Sequence, residues 1–144
     1  MKEKFKQYYM RIAAETGQLS YARRLQVGAI VVKDDRIISI GYNGMPSGWE
    51  NNCEYMLEDG TIKSKPEVLH AETNAIAKLA KSTESGANAT MFITHGPCLD
   101  CAKLIYQAGI DSVCYREDYR SSDGIDFLRK SGVSVEQINI DNDG

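Results

Sequence analysis

Residues 27–42, VGAIVVKDDRIISIGY, decide how the chain is built. The first six are almost continuously apolar, and at that length an apolar run reads as a buried strand. Asp34-Asp35 is a turn pair, and RIISIGY, residues 36–42, returns as a second strand. Two runs so joined make a β-hairpin. Downstream the pattern changes. A helix follows His70, a strand spans 90–94 (TMFIT), and a helix runs from Pro97 to a stop at Gly109. A strand then spans 112–115 (SVCY), a helix 124–131, and a last strand 133–138. Upstream, residues 2–16 form an amphipathic helix with Phe5, Tyr8, Tyr9, Ile12 and Ala13 on one side. A hairpin followed by alternating units predicts an α/β fold: a three-layer α/β/α arrangement around a mixed five-stranded sheet.

Composition narrows the partners. The chain has 144 residues, the size of one domain over 1–144, and 42% apolar residues, enough for a sizeable core. Net charge is −3 and the pI about 5.4, a poor footprint for a protein that tracks a nucleic-acid backbone. No apolar run approaches the ~20 residues of a membrane span, and the N-terminus MKEKFKQYYMRI has no signal-peptide core. A cytoplasmic protein is expected, in which Cys53, Cys98, Cys101 and Cys114 are thiols or metal ligands rather than disulfides. Residues 43–65 are long, polar and weakly periodic, and loops of that length are usually functional.

Two short motifs carry the chemistry. In LHAETNAIAKLA (69–80), His70 and Glu72 lie two apart, about 200° on an ideal helix, so they converge only if His70 sits at the helix mouth. In GPCLDC (96–101), Cys98 and Cys101 are three apart, about 60° around a helix, with Pro97 suited to the first turn. Two thiolates and one imidazole make a three-ligand zinc site with an open fourth position. Such a metal brings the pKa of water toward neutrality. Glu72, beside the metal without ligating it, is placed to move protons. The reaction this suits is hydrolytic removal of an amine from an amidine-like ring carbon. A redox CxxC and a closed structural zinc using Cys53 or Cys114 are the alternatives. Cys114, in an apolar strand, reads as core, Cys53 stays open, and His95 reads as a solvated loop residue.

The H-x-E and P-C-x-x-C pair, His70-Ala71-Glu72 and Pro97 to Cys101, resembles the cytidine/deoxycytidylate deaminase superfamily. QVGAIVV (26–32), GYNGMPSG (41–48), HAETNAI (70–76) and CAKLIYQAGI (101–110) resemble its deoxycytidylate (dCMP) deaminases, over about residues 20 to 130. The small size suits a phage or bacterial member. The resemblance implies one catalytic Zn2+ per chain on His70, Cys98 and Cys101, with Glu72 as proton shuttle. It implies substrate contacts from Asn43, Ala71 and Tyr119, and conversion of dCMP to dUMP and ammonia, supplying the dTMP precursor; Arg24, a guanidinium just ahead of the first strand, is the candidate phosphate clamp on its chemistry alone. It further implies a homo-hexamer activated by dCTP with Mg2+ and inhibited by dTTP, in the cytoplasm (a host's, if phage-encoded). The segment Tyr42, Asn43, Gly44, Met45 and Gly48 is the expected effector loop, its glycines bringing backbone N–H groups to a phosphate. Deamination of a polynucleotide base and a zinc-stabilised nucleotide sensor are the competing functions.

Overall fold

The computed structural model describes residues 1–140; the last four residues of the expected 1–144 domain lie outside the described residues. The elements are α1 (Glu3–Gly17), β1 (Gly28–Lys33), β2 (Arg36–Tyr42), β3 (Glu54–Met56), β4 (Ile62–Ser64), α2 (Ala71–Ala80), β5 (Thr90–His95), α3 (Leu99–Gln107), β6 (Ser112–Glu117), α4 (Asp123–Lys130) and β7 (Ser134–Gln137). The hairpin is present: β1 pairs antiparallel with β2, Gly28 opposite Tyr42 and Lys33 opposite Arg36. Asp34 and Asp35 both have positive φ, 52° and 59°. A two-residue turn between right-twisting strands requires that conformation.

The main sheet has the order β2-β1-β5-β6-β7. β1 is antiparallel to β2 and β5, whereas β5, β6 and β7 run parallel. Side chains alternate between its faces. Ala29, Val31, Met91, Ile93 and Val113 pack with Ala71, Ala75 and Leu79 of α2, Ala102 and Ile105 of α3 and Leu128 of α4. Ile30, Val32, Phe92 and Cys114 point the other way, onto Tyr9, Met10 and Ala13 of α1. The expected three layers follow, and β1 is continuously apolar because both its faces are covered. Cys114 is core, its thiol pushed up to about 11 by burial.

Two expectations are corrected. Phe5 and Tyr8 are not on the buried side of α1: they are 43% and 49% exposed, and Gln7 and Met10 take the inward positions. The inward stripe is narrower and rotated, and it admits Gln7 because its Nε2 donates to Asn139 O at 2.7 Å. The 43–65 segment is not wholly loop, since β3 and β4 form a separate two-stranded sheet. No helix among the described residues is long and apolar enough to cross a membrane.

The two ends of the sheet differ. Val32, Thr90, Ser112 and Ser134 lie in register at one end. The tight left-handed residues Asp34, Asp35, Asn88, Gly109 and Gly132 are all adjacent to it. From the other end the chain leaves after Tyr42, His95 and Glu117, through residues 43–53, 96–98 and 118–122.

α2 lies close on β2 at Gly41, where a Cβ would run into the Ala71 carbonyl and the Ala75 backbone. Overpacking of this kind costs ~1–3 kcal/mol. Gly41→Ala is therefore expected to lower the urea midpoint by that free energy with an unchanged m-value, and an unaltered midpoint refutes the close contact.

Candidate functional site

Two helix starts meet at the end of the sheet beyond Tyr42, His95 and Glu117. His70 is the N-cap of α2, with extended backbone (φ −77°, ψ 156°), and its carbonyl accepts from Asn74 N–H at 3.0 Å. Its imidazole is thereby freed from helical geometry, and Glu72 follows in the first turn. Cys98 is likewise an extended N-cap (φ −69°, ψ 169°), its carbonyl accepting from Ala102 N–H at 2.9 Å. This corrects the expectation that the helix runs from Pro97: it begins at Leu99, and only Cys101 of the two cysteines is inside it. Each motif thus supplies one residue from the cap and one from the first turn. α4 is held against the Cys98 turn at Gly124, where a Cβ would meet the Pro97 carbonyl and the Cys98 backbone.

His70, Cys98 and Cys101 bring their donor atoms within 4.8 Å of one another. The nitrogen that faces the sulfurs is Nδ1, 3.2 Å from Cys101 Sγ and 3.6 Å from Cys98 Sγ. Tetrahedral zinc, with Zn–S about 2.3 Å and Zn–N about 2.0–2.1 Å, spaces such donors roughly 3.6 Å apart. The donor set fits zinc. Thr73 Oγ1 lies 3.8 Å from Cys101 Sγ, a second polar neighbour for that sulfur.

Charge argues the same way. Burial pushes the Cys101 thiol far upward, and the neighbouring Glu72 and Cys98 push it further. Glu72 is only 4% exposed, and burial pushes its carboxyl up too, against the opposing effects of its own backbone N–H, His70 and Cys101. Acids crowded into one buried spot are unfavourable unless a cation sits among them.

A cavity of about 590 Å³ opens over this centre, within the usual size range of small-molecule sites. His70, Ala71, Glu72, Cys98, Asn43, Tyr119 and Arg24 line it, so the expected substrate residues converge. Tyr42, Gly44, Met45 and Gly48 lie outside its lining. Gly48 has positive φ, 86°, but Gly44 does not, and its N–H is committed to Leu69 O at 3.1 Å. Asn43 is heavily engaged: Oδ1 accepts from Val27 N–H at 2.8 Å and Nδ2 donates to Leu25 O at 2.7 Å. It staples the 20–27 segment to the end of β2.

Cys53 lines the cavity yet joins no metal cluster among the described residues. Its thiol donates to Asn51 O at 3.3 Å and accepts from Met45 N–H. His95 is not the solvated loop residue expected. Its Nε2 lies 2.9 Å from Glu117 Oε2 and its Nδ1 2.8 Å from Thr94 Oγ1, and it lines the cavity. Burial holds its pKa below the usual imidazole value, with Arg116 acting in the same direction and Glu117 against it. Glu54, Lys65 and Arg120 also line the cavity and were missed. Lys65 and Arg120 sit over the Tyr55 and Tyr119 rings, at 5.5 and 5.9 Å. The only sequence signal for Glu54 and Lys65 was the length and polarity of 43–65, and Arg120 lies outside that segment.

Comparison with known proteins fits this geometry. The family model of the cytidine and deoxycytidylate deaminase zinc-binding region matches residues 3–117. The chain is 34% identical to the deoxycytidylate deaminase of Enterobacteria phage T4, over 88% of this chain and 86% of that protein. It is 36% identical to ComE operon protein 2 of Bacillus subtilis (strain 168), over 94% and 71% respectively. Among solved structures, the dCMP deaminase of cyanophage S-TIM5 in complex with dCMP and dUMP superposes with a TM-score of 0.89 at 50% identity. That match covers 96% of this chain and 99% of the phage chain.

One zinc per chain is expected by elemental analysis, and its loss is expected in the Cys98→Ala/Cys101→Ala double variant. Full zinc in that variant removes the site, and two zincs per chain restore Cys53 as a ligand.

Proposed function

The chain belongs to the cytidine and deoxycytidylate deaminase family, and on that premise we propose that its single domain, 1–144, hydrolyses dCMP to dUMP and ammonia, yielding the precursor of dTMP. One observation carries the chemistry: Glu72 is buried in the first turn of α2, next to a His/Cys/Cys donor set of which it is not a member. A purely structural metal has no use for such an acid. The substrate reading is supported by the 50% identical phage enzyme that holds dCMP and dUMP.

Zinc bound by His70, Cys98 and Cys101 supplies a Lewis acid that brings the pKa of water toward neutrality. Glu72 takes a proton from the attacking water and hands it to ring N3. As the new C4–O bond forms, the same carboxylate carries the second proton to the exocyclic nitrogen. The C4–N bond breaks, ammonia leaves and dUMP remains. Burial of Glu72 raises its proton affinity, which suits a group that must both accept and release a proton near neutral pH. The Ala71 N–H belongs to the first turn, where helix donors lack intrahelical acceptors, and is assigned to the substrate. Asn43 and Tyr119 are assigned to the sugar and base walls, and Arg24 to the phosphate, which a guanidinium can bind bidentately.

The finer reading is a cytoplasmic homo-hexamer (in a host, if phage-encoded), activated by dCTP with Mg2+ and inhibited by dTTP. Its regulatory part is supported by the continuity of the segment Tyr42, Asn43, Gly44, Met45 and Gly48 with the cavity wall at Asn43. Such an effector must bind the competent arrangement more tightly.

Ammonia release from dCMP, deoxycytidine and a cytosine-bearing oligonucleotide, side by side, tests the activity. Turnover of dCMP well above the other two is expected, and equal turnover of deoxycytidine refutes the assignment. Glu72→Gln is expected to keep zinc and fold while losing at least ~10²–10⁴-fold in kcat. A variant within tenfold of the parent removes Glu72 from the mechanism. Regulation is expected to appear as a shift of roughly 5- to 150-fold in half-saturation by dCMP between dCTP-Mg2+ and dTTP. Superimposable hyperbolic curves rule it out.

A further inference from the structure

The fold treats the two arginines ahead of β1 differently. Glu54 opens β3 with its side chain 1% exposed. Its Oε2 accepts from Arg23 N–H at 2.9 Å and Arg24 N–H at 3.2 Å, and its Oε1 from Arg23 Nε–H at 3.3 Å. Burial alone would push this carboxyl up, but the two backbone N–H groups and the Arg23 guanidinium outweigh it and hold it below the usual range. Arg23 is therefore neutralised by an ion pair. Arg24 is not used that way: its Nη1 donates to Ser64 Oγ at 3.1 Å, a neutral partner.

Glu54 and Ser64 face each other across the β3–β4 pair. One cross-strand pair thus grips Arg24 at both ends, Glu54 by its backbone and Ser64 by its guanidinium. Lys65, the next residue, is anchored through its N–H to Cys53 O at 2.8 Å. Arg24, Glu54, Ser64 and Lys65 all line the cavity. The result is a cationic wall whose acidic component is buried and already compensated. A guanidinium held by a hydroxyl keeps its charge for an anion.

We infer that Glu54 is a positioning residue for recognition of the substrate's phosphomonoester: with Ser64 it fixes Arg24 in the cavity wall and so sets the preference for a nucleotide over a nucleoside. The inference rests on the dCMP reading above. Glu54 itself touches no reacting atom and acts through Arg24.

The test uses the zinc-loaded full chain. Glu54→Gln keeps the volume but removes the charge and one acceptor oxygen. The KM for dCMP is expected to rise roughly tenfold or more, the scale of a charge-assisted hydrogen bond. With phosphate binding lost uniformly, kcat should stay within about twofold. Zinc content should be unchanged, and calorimetric affinity for dUMP should fall in parallel. Arg24→Ala should reproduce this pattern, and adding Glu54→Gln to it should change KM by less than about twofold, because two residues acting as a unit are not additive. Ser64→Ala, a milder change, should raise KM in the same direction and decides the matter if Glu54→Gln does not fold. A fall in kcat at unchanged KM, an unchanged KM in all variants, or multiplying effects in the double variant overturns the inference. A parent chain that releases no ammonia from dCMP instead overturns the substrate reading.

Discussion

The site depends on one constraint: two helix N-termini must come close enough for donors on each to reach a common point. His70 and Cys98 both do so as extended caps rather than as helical residues. Backbone contact makes this possible. At Gly41 the α2 backbone lies against β2, and at Gly124 the start of α4 lies against the Cys98 turn. A side chain at either point would displace α2 or the Cys98 turn, which carry donor atoms within 4.8 Å of one another. The glycines set the spacing, and the caps set the direction.

The cavity handles its acids in two ways. Glu54 is buried but accepts hydrogen bonds from two backbone N–H groups and a guanidinium, so its charge is compensated within the chain. Glu72 is buried beside thiols, where its carboxyl is pushed up. A fully satisfied carboxylate is inert and suits a structural role. A carboxyl under electrostatic stress changes its protonation readily, and that is the property proton transfer needs. The two acids differ little in exposure, so their neighbours separate their roles.

How much was legible follows from how local each signal is. The hairpin, the helix after His70 and the central strands were readable because period and turn chemistry lie within a few residues. So was the metal trio, since His70-x-Glu72 and Cys98-x-x-Cys101 carry their geometry in their spacing. The inward side of α1 was misread at Phe5 and Tyr8 because Gln7 is polar, and its buried partner, Asn139 O, lies far along the chain. The β3–β4 pair escaped notice because three-residue strands carry too little periodicity to register. With it went Glu54, Ser64 and Lys65, whose meaning depends on Arg24, thirty and more residues earlier. His95 was likewise invisible, since its partner Glu117 is reached only once β5 and β6 pair.

The uneven ends of the sheet have an evolutionary reading. At one end the chain turns through left-handed residues, Asp34, Asp35, Asn88, Gly109 and Gly132, where few amino acids are tolerated. At the other, the connection that enters at Gly28 and those that leave after Tyr42, His95 and Glu117 carry most of the cavity residues. Selection can lengthen, shorten or exchange those connections without disturbing strand register. One frame can therefore be inherited intact while its ligand preference drifts, and segments transplanted between relatives should be cut at the cavity end, never through the tight turns.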